Sequence, residues 1–162
     1  MTITTEDTAM SQATDTNVIE KEITLRAPRS RVWRALADSQ QFGTWFGMTF
    51  DGPFVAGKPL HGKFSNPKYA HLTLELTVES IEPERLFSYR WHPGAMDPNV
   101  DYSQETPTLV EFHLSETADG TKLTVIESGF DQIPEWRRAE AFKMNSGGWT
   151  SQVENIRKYV ES

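Results

Sequence analysis

A chain of 162 residues with 37% apolar and 24% charged side chains, five Trp and nine Phe has the makings of one globular domain, and a domain of this size buries roughly 70% of the surface its unfolded chain exposes. The formal charge of −7, with no cluster of Lys and Arg, excludes nucleic acid and anionic membrane as partners, because both reward a basic face. The absence of cysteine removes disulfides, thiolate nucleophiles, iron–sulfur clusters and cysteine-ligated zinc together, and we assign no cofactor.

The first residues, MTITTEDTAMSQATDTN, contain neither a basic n-region nor an apolar h-region, and no later segment approaches eighteen apolar residues. The expectation is a cytoplasmic protein with a disordered, Thr-rich leader over residues 1–17 and a single domain over residues 18–162.

Residues 18–27 place Ile19, Ile23 and Leu25 opposite Glu20, Glu22, Thr24 and Arg26, the pattern of a half-buried strand that Pro28 ends. Val32, Trp33 and Leu36 then recur at helical spacing. Asp38, with Gln41 three residues on, caps a second short helix carrying Phe42, Trp45 and Phe46. Residues 48–54 and 58–65 form a hairpin about the turn chemistry of Gly52, Pro53 and Gly57.

The clearest strand follows, in which Leu72, Leu74, Leu76 and Val78 alternate with polar residues. Residues 86–91 put Phe87, Tyr89 and Trp91 on one face. Periodicity is then lost over residues 92–107, HPGAMDPNVDYSQETP, a loop long enough to serve as a lid or binding loop. Two further strands point Val110, Phe112 and Leu114, then Leu123 and Val125, inward, with Asp119 and Gly120 turning the chain between them.

Residues 133–162 read as one amphipathic helix about 40 Å long at 1.5 Å per residue, with Ala139, Phe142, Ser146, Trp149, Val153, Ile156 and Val160 along one stripe. Gly147 and Gly148 interrupt it, each costing roughly 1 kcal/mol against Ala in a helix interior. We read them as a close-packing site or a kink, the alternative being that they let a ligand approach the backbone beside Trp149. The order is strand, two short helices, six strands and a long helix. It predicts an α+β domain whose curved, antiparallel, seven-stranded sheet wraps around the last helix.

Four segments in this order, VWRALAD with a Trp further on, IEPERLFSYRW, GTKLTVIESGF and GGWTSQVENIRKYV, resemble the family named for activators of the 90-kDa heat-shock chaperone ATPase. That family lies within the START-like, birch-pollen-allergen superfamily of helix-grip folds, also called SRPBCC. The resemblance covers residues 18–160 and implies a sheet gripping the C-terminal helix, with a cavity that takes apolar small molecules in relatives. Members include lipid and hormone carriers, cyclases, oxygenase subunits and chaperone regulators; the lack of cysteine argues against an oxygenase here.

Within that frame the candidate ligand-binding residues are Trp45, Phe64, Leu74, Tyr89, Trp91, Phe112, Phe142 and Trp149, with Tyr89, Glu127 and Asn145 as polar groups to orient the ligand. Aromatic residues at these parities also simply fill cores. Glu127 continues the inward parity of Leu123 and Val125, so if buried it would be placed to donate or accept a proton, whereas the Ser128–Gly129 pair that follows would let it sit in solvent. His61, His71, His92 and His113 form no HxH or HxxxH pair, and we predict no metal site. Neither GxSxG nor a phosphate-binding glycine loop occurs.

Three functions remain: a carrier or sensor of a small apolar or aromatic molecule, a cyclase, dehydratase or hydrolase using Glu127 or Tyr89 in the same cavity, and a chaperone or stress-response interaction protein. Homodimerisation is compatible with each.

Overall fold

The strand nearest the N-terminus pairs with the one nearest the C-terminus, and this closure sets the whole architecture. The computed structural model describes residues 17–162; apart from Asn17, the expected leader lies outside the described residues. In chain order the elements are β1 (Val18–Leu25), α1 (Arg29–Ala37), α2 (Ser39–Phe46), β2 (Met48–Phe50), β3 (Pro59–Phe64), β4 (Thr73–Glu82), β5 (Leu86–Trp91), β6 (Thr108–Thr117), β7 (Gly120–Ser128) and α3 (Glu135–Glu161). The sheet runs β1-β7-β6-β5-β4-β3-β2, with every neighbouring pair antiparallel. This is the helix-grip fold: seven strands, two short helices after the first of them, and a long last helix. No helix among the described residues is long and apolar enough to cross a membrane.

Alternation sets which face is dry. In β6 and β7 every second residue is buried, so Val110 lies opposite Glu127, Phe112 opposite Val125 and Leu114 opposite Leu123. In β4 the register slips between Val78 and Ser80. The inward set therefore passes from Leu76 and Val78 to Ile81, and a bulge of this kind bends a strand and adds twist. That curvature helps the sheet wrap around a helix.

Phe42, on α2, fills one end of the concave face. Its ring centroid lies 4.6 Å from Trp45, 5.5 Å from Phe54, 5.9 Å from Phe112 and 6.1 Å from Tyr89. Gly43 beside it is required by contact rather than propensity, since a Cβ there would stand 2.2 Å from the Met48 carbonyl oxygen. Asp38 caps α2 by accepting from the amides of Gln40 and Gln41; Gln41 does not return the bond, and its side chain accepts from Arg31 instead.

Four expectations are corrected. The second strand stops at Phe50 rather than residue 54, and Phe54 joins the core from the turn that follows. The last helix begins at Glu135, with Pro134 as its N-cap in extended backbone. Its N-terminal half turns a different side inward: Ala139 is exposed, whereas Arg137 and Ala141 are buried in line with Trp149, Ile156 and Val160. An apolarity stripe passes over Arg137 because its partner, Glu105, lies 32 residues away in the long loop. The glycine pair is no close-packing site either, because a Cβ on Gly147 or Gly148 would meet nothing within 4 Å. The helix runs through both without a break.

Candidate functional site

A cavity of about 420 Å³ opens beside the loop of residues 92–107, which leaves the sheet and packs on the N-terminal part of α3 through Arg137 and Ala141. Leu72 just before β4, Thr73, Leu74 and Glu75 at its start, Phe64 from β3 and Phe46 from α2 form one side. Trp91 and His92 at the end of β5, followed by residues 93–96 and Tyr102, form the second. Met144, Asn145, Gly148, Trp149 and Gln152 on α3 form the third.

Glu127 lies directly behind this wall and is 0% exposed. Its Oε1 accepts from Asn145 Nδ2 and from Trp149 Nε1, each at 2.8 Å. Its Oε2 accepts from Trp91 Nε1 at 2.8 Å and from Thr108 Oγ1 at 2.6 Å. Two indole N–H groups, which only donate, thus find acceptors on one carboxylate, and β5, β6, β7 and α3 are tied at a single point. Such a group is costly to bury unless fully hydrogen-bonded, and here four donors surround it.

Tyr89 is equally buried, but its hydroxyl has no hydrogen-bond partner. Burial pushes the phenol well above its ordinary range, and the negative charge of Glu127 pushes in the same direction. The hydroxyl is therefore a neutral, unsatisfied group in an aromatic core. Replacing Tyr89 with Phe is expected to leave stability unchanged or raise it by about 1 kcal/mol in urea unfolding at neutral pH. The alkaline limb gives the sign: the unfolded phenol ionises near pH 10 while the folded one keeps its proton, so the wild type loses stability as pH rises above about 10. The Tyr89→Phe variant should lose less there, and an equal loss would refute this account.

His92 stands in the cavity wall with Nδ1 buried and without a partner. Burial lowers its pKa, with Glu105 opposing and Arg137 assisting, so the imidazole is neutral near pH 7. The loop is held in place by Arg137, which reaches across from α3. Its guanidinium makes a multiple contact with the Glu105 carboxylate, with Nη2 to Oε1 at 2.5 Å, donates to the Pro93 carbonyl at 2.8 Å, and lies 4.7 Å from the Tyr102 ring centre. Gly94, at φ +65°, packs against Ala141, where a Cβ would come within 3.4 Å of the helix.

Of the ten candidate residues, Phe64, Leu74, Trp91, Asn145 and Trp149 line the cavity. The other five do not reach it. Trp45 is buried, with its N–H donated to the Ala35 carbonyl; Tyr89 and Phe112 lie in the Phe42 cluster; Phe142 packs on Phe130 at 5.2 Å; and Glu127 sits behind the indoles. The lining residues not named as ligand-binding candidates are mostly in the loop and on α3, including His92, Met96, Tyr102, Met144 and Gly148. Two signals pointed to them: the loss of periodicity after residue 92, and the glycine pair.

Fold and cavity together define a helix-grip domain with a cleft between its sheet and its last helix. Residues 26–161 match the model of the family described as Activator of Hsp90 ATPase homolog 1-like protein, and the chain belongs to that family. A crystal structure of a protein from Mesorhizobium loti is similar at 27% identity, covering 88% of this chain and 95% of that one with a TM-score of 0.68. A solution structure of a Bacillus halodurans protein is similar at 26% identity, covering 89% and 96% with a TM-score of 0.65. The solution structure of the Aha1 dimer from Colwellia psychrerythraea, at 14% identity and a TM-score of 0.68 over 89% and 96%, shares the fold. Comparison with curated protein sequences gave no match.

Proposed function

We propose that this protein binds a small apolar or aromatic molecule in the cleft between its sheet, the loop of residues 92–107 and α3, as a carrier or sensor. The cleft itself carries the reading. Its volume of about 420 Å³ lies within the roughly 300–1,000 Å³ typical of small-molecule sites, and its wall is mainly apolar with a few convergent polar groups. Proton-transfer catalysis in the same cavity has less support, because neither Glu127 nor Tyr89 contributes to the wall. An interaction role draws on the family's name.

Gly148 provides the test. It lines the cleft, and a Cβ added there would meet nothing within 4 Å, so a larger side chain can start from this position toward the cavity without a clash at its root. In a helix interior, replacing Gly removes a cost of up to about 1 kcal/mol. The Gly148→Trp variant should therefore melt at or above the wild-type temperature while losing affinity for the fluorescent apolar reporter N-phenyl-1-naphthylamine. Equal affinity in the two proteins would place the binding site elsewhere.

A further inference from the structure

The charges around the cleft are one-sided. No Lys or Arg stands in its wall, while Glu75 does and Glu127 lies directly behind it. Arg137, the cation that holds the loop, is already matched by Glu105 and the Pro93 carbonyl. Asn145 turns its amide N–H toward Glu127, so the end of that amide left over is the carbonyl oxygen, an acceptor. His92 is neutral near pH 7. At its rim, Glu75 takes a contact from His61 Nε2 at 2.9 Å and remains more than half exposed.

Three rings meet at the inner end of this acceptor-lined cleft. The Trp91 and Trp149 centroids lie 5.9 Å apart at 31°, and Phe46 lies 5.9 Å and 6.1 Å from them. Both indoles give their N–H to the same carboxylate, and a hydrogen bond to an anion shifts electron density into the donor's ring. That strengthens the negative face an aromatic ring offers to a cation within about 6 Å.

We propose that the cleft is selective for organic cations: a quaternary or protonated ammonium on an apolar or aromatic body. The charged group sits at the Trp91 and Trp149 end, and the body lies along Phe64, Leu74 and Met96. This rests on the reading of the cleft as a ligand site and adds the charge of the ligand to it. An anionic ligand of the same size meets the Glu75 carboxylate in this wall, the Glu127 carboxylate behind it, and no Lys or Arg among the lining residues.

Phenyltrimethylammonium and tert-butylbenzene have the same shape and differ in charge. Each is titrated against full-length protein loaded with N-phenyl-1-naphthylamine, following displacement of the reporter. The cation is expected to displace it at a concentration at least tenfold lower than its neutral isostere. Glu75→Gln, an exposed change that leaves melting in place, is expected to shrink that ratio severalfold by weakening the cation alone. Equal or stronger displacement by tert-butylbenzene overturns the proposal while leaving an apolar ligand site intact. A preference for the cation that Glu75→Gln does not alter also overturns it, because the selectivity then arises away from this wall. Failure of the reporter to bind at all overturns both this proposal and the ligand site.

Discussion

Glu127→Gln is expected to destabilise the fold by on the order of 3–5 kcal/mol, although the two side chains have nearly the same shape. The amide keeps one acceptor oxygen and replaces the other with an NH2 group. Turned toward Asn145 and Trp149, the NH2 group opposes two donors. Turned the other way it opposes the Trp91 N–H, while the Thr108 hydroxyl can give its proton to the Trp91 carbonyl and accept from the amide. In either pose the remaining bonds lose their charge-assisted strength. Each buried donor left without an acceptor costs about 1–3 kcal/mol, and the carboxylate is 0% exposed. Urea unfolding followed by Trp fluorescence measures the loss directly, since two of the five Trp residues report on the site. The same variant separates two roles for Glu127. As an anchor, its replacement lowers the midpoint of unfolding; as a proton carrier in a tolerant site, replacement would leave the midpoint where it was. An unchanged midpoint would refute the anchor.

Arg137→Ala should have an effect of similar size at the other side of the cleft. The Arg137 and Glu105 side chains are 6% and 10% exposed, and removing one member of a buried pair leaves an uncompensated charge, at about 3–5 kcal/mol. For a domain of this size, a loss of about 3 kcal/mol lowers the melting temperature by roughly 6–12 °C. The loss has a specific location, because Arg137 also holds the Pro93 carbonyl and stacks on Tyr102. Limited proteolysis of the variant should therefore cut first within residues 92–107, and reporter affinity should fall with the loop wall. The double variant Arg137→Met with Glu105→Leu is expected to recover most of the stability, since an apolar pair needs no counter-charge. A single variant that melts like the wild type, with an uncut loop, would show that the pair does not hold the loop.

The two sites differ in how far they could be read in advance. Strand alternation alone placed Glu127 on the inward side of β7, because a period of two leaves a strand with one dry face no other register. The identity of its partners was not available that way. Trp91 and Trp149 are 36 and 22 residues distant, on a different strand and on the helix, and they converge only when the sheet closes on α3. Arg137 was harder still. Judged by polarity it belongs on the wet side of the helix, and only Glu105, supplied by an aperiodic loop, makes its burial tolerable.

The sequence by itself determined the order of elements, the dry face of each strand from residue parity, the turns from Gly, Pro and Asp, and the aromatic content of the interior. These are local properties, set by backbone geometry and by the need to bury one face. The tertiary structure decided which inward residues fill the core and which face the cleft. Parity tells inside from outside but carries no depth: Tyr89 and Trp91 share a face of β5, yet Tyr89 is sealed beneath Phe42, whereas Trp91, two residues on, reaches the cavity. The difference arises because α2 supplies Phe42 to one end of the concave sheet, while at the other end the loop held by Arg137 arches over and leaves the space open.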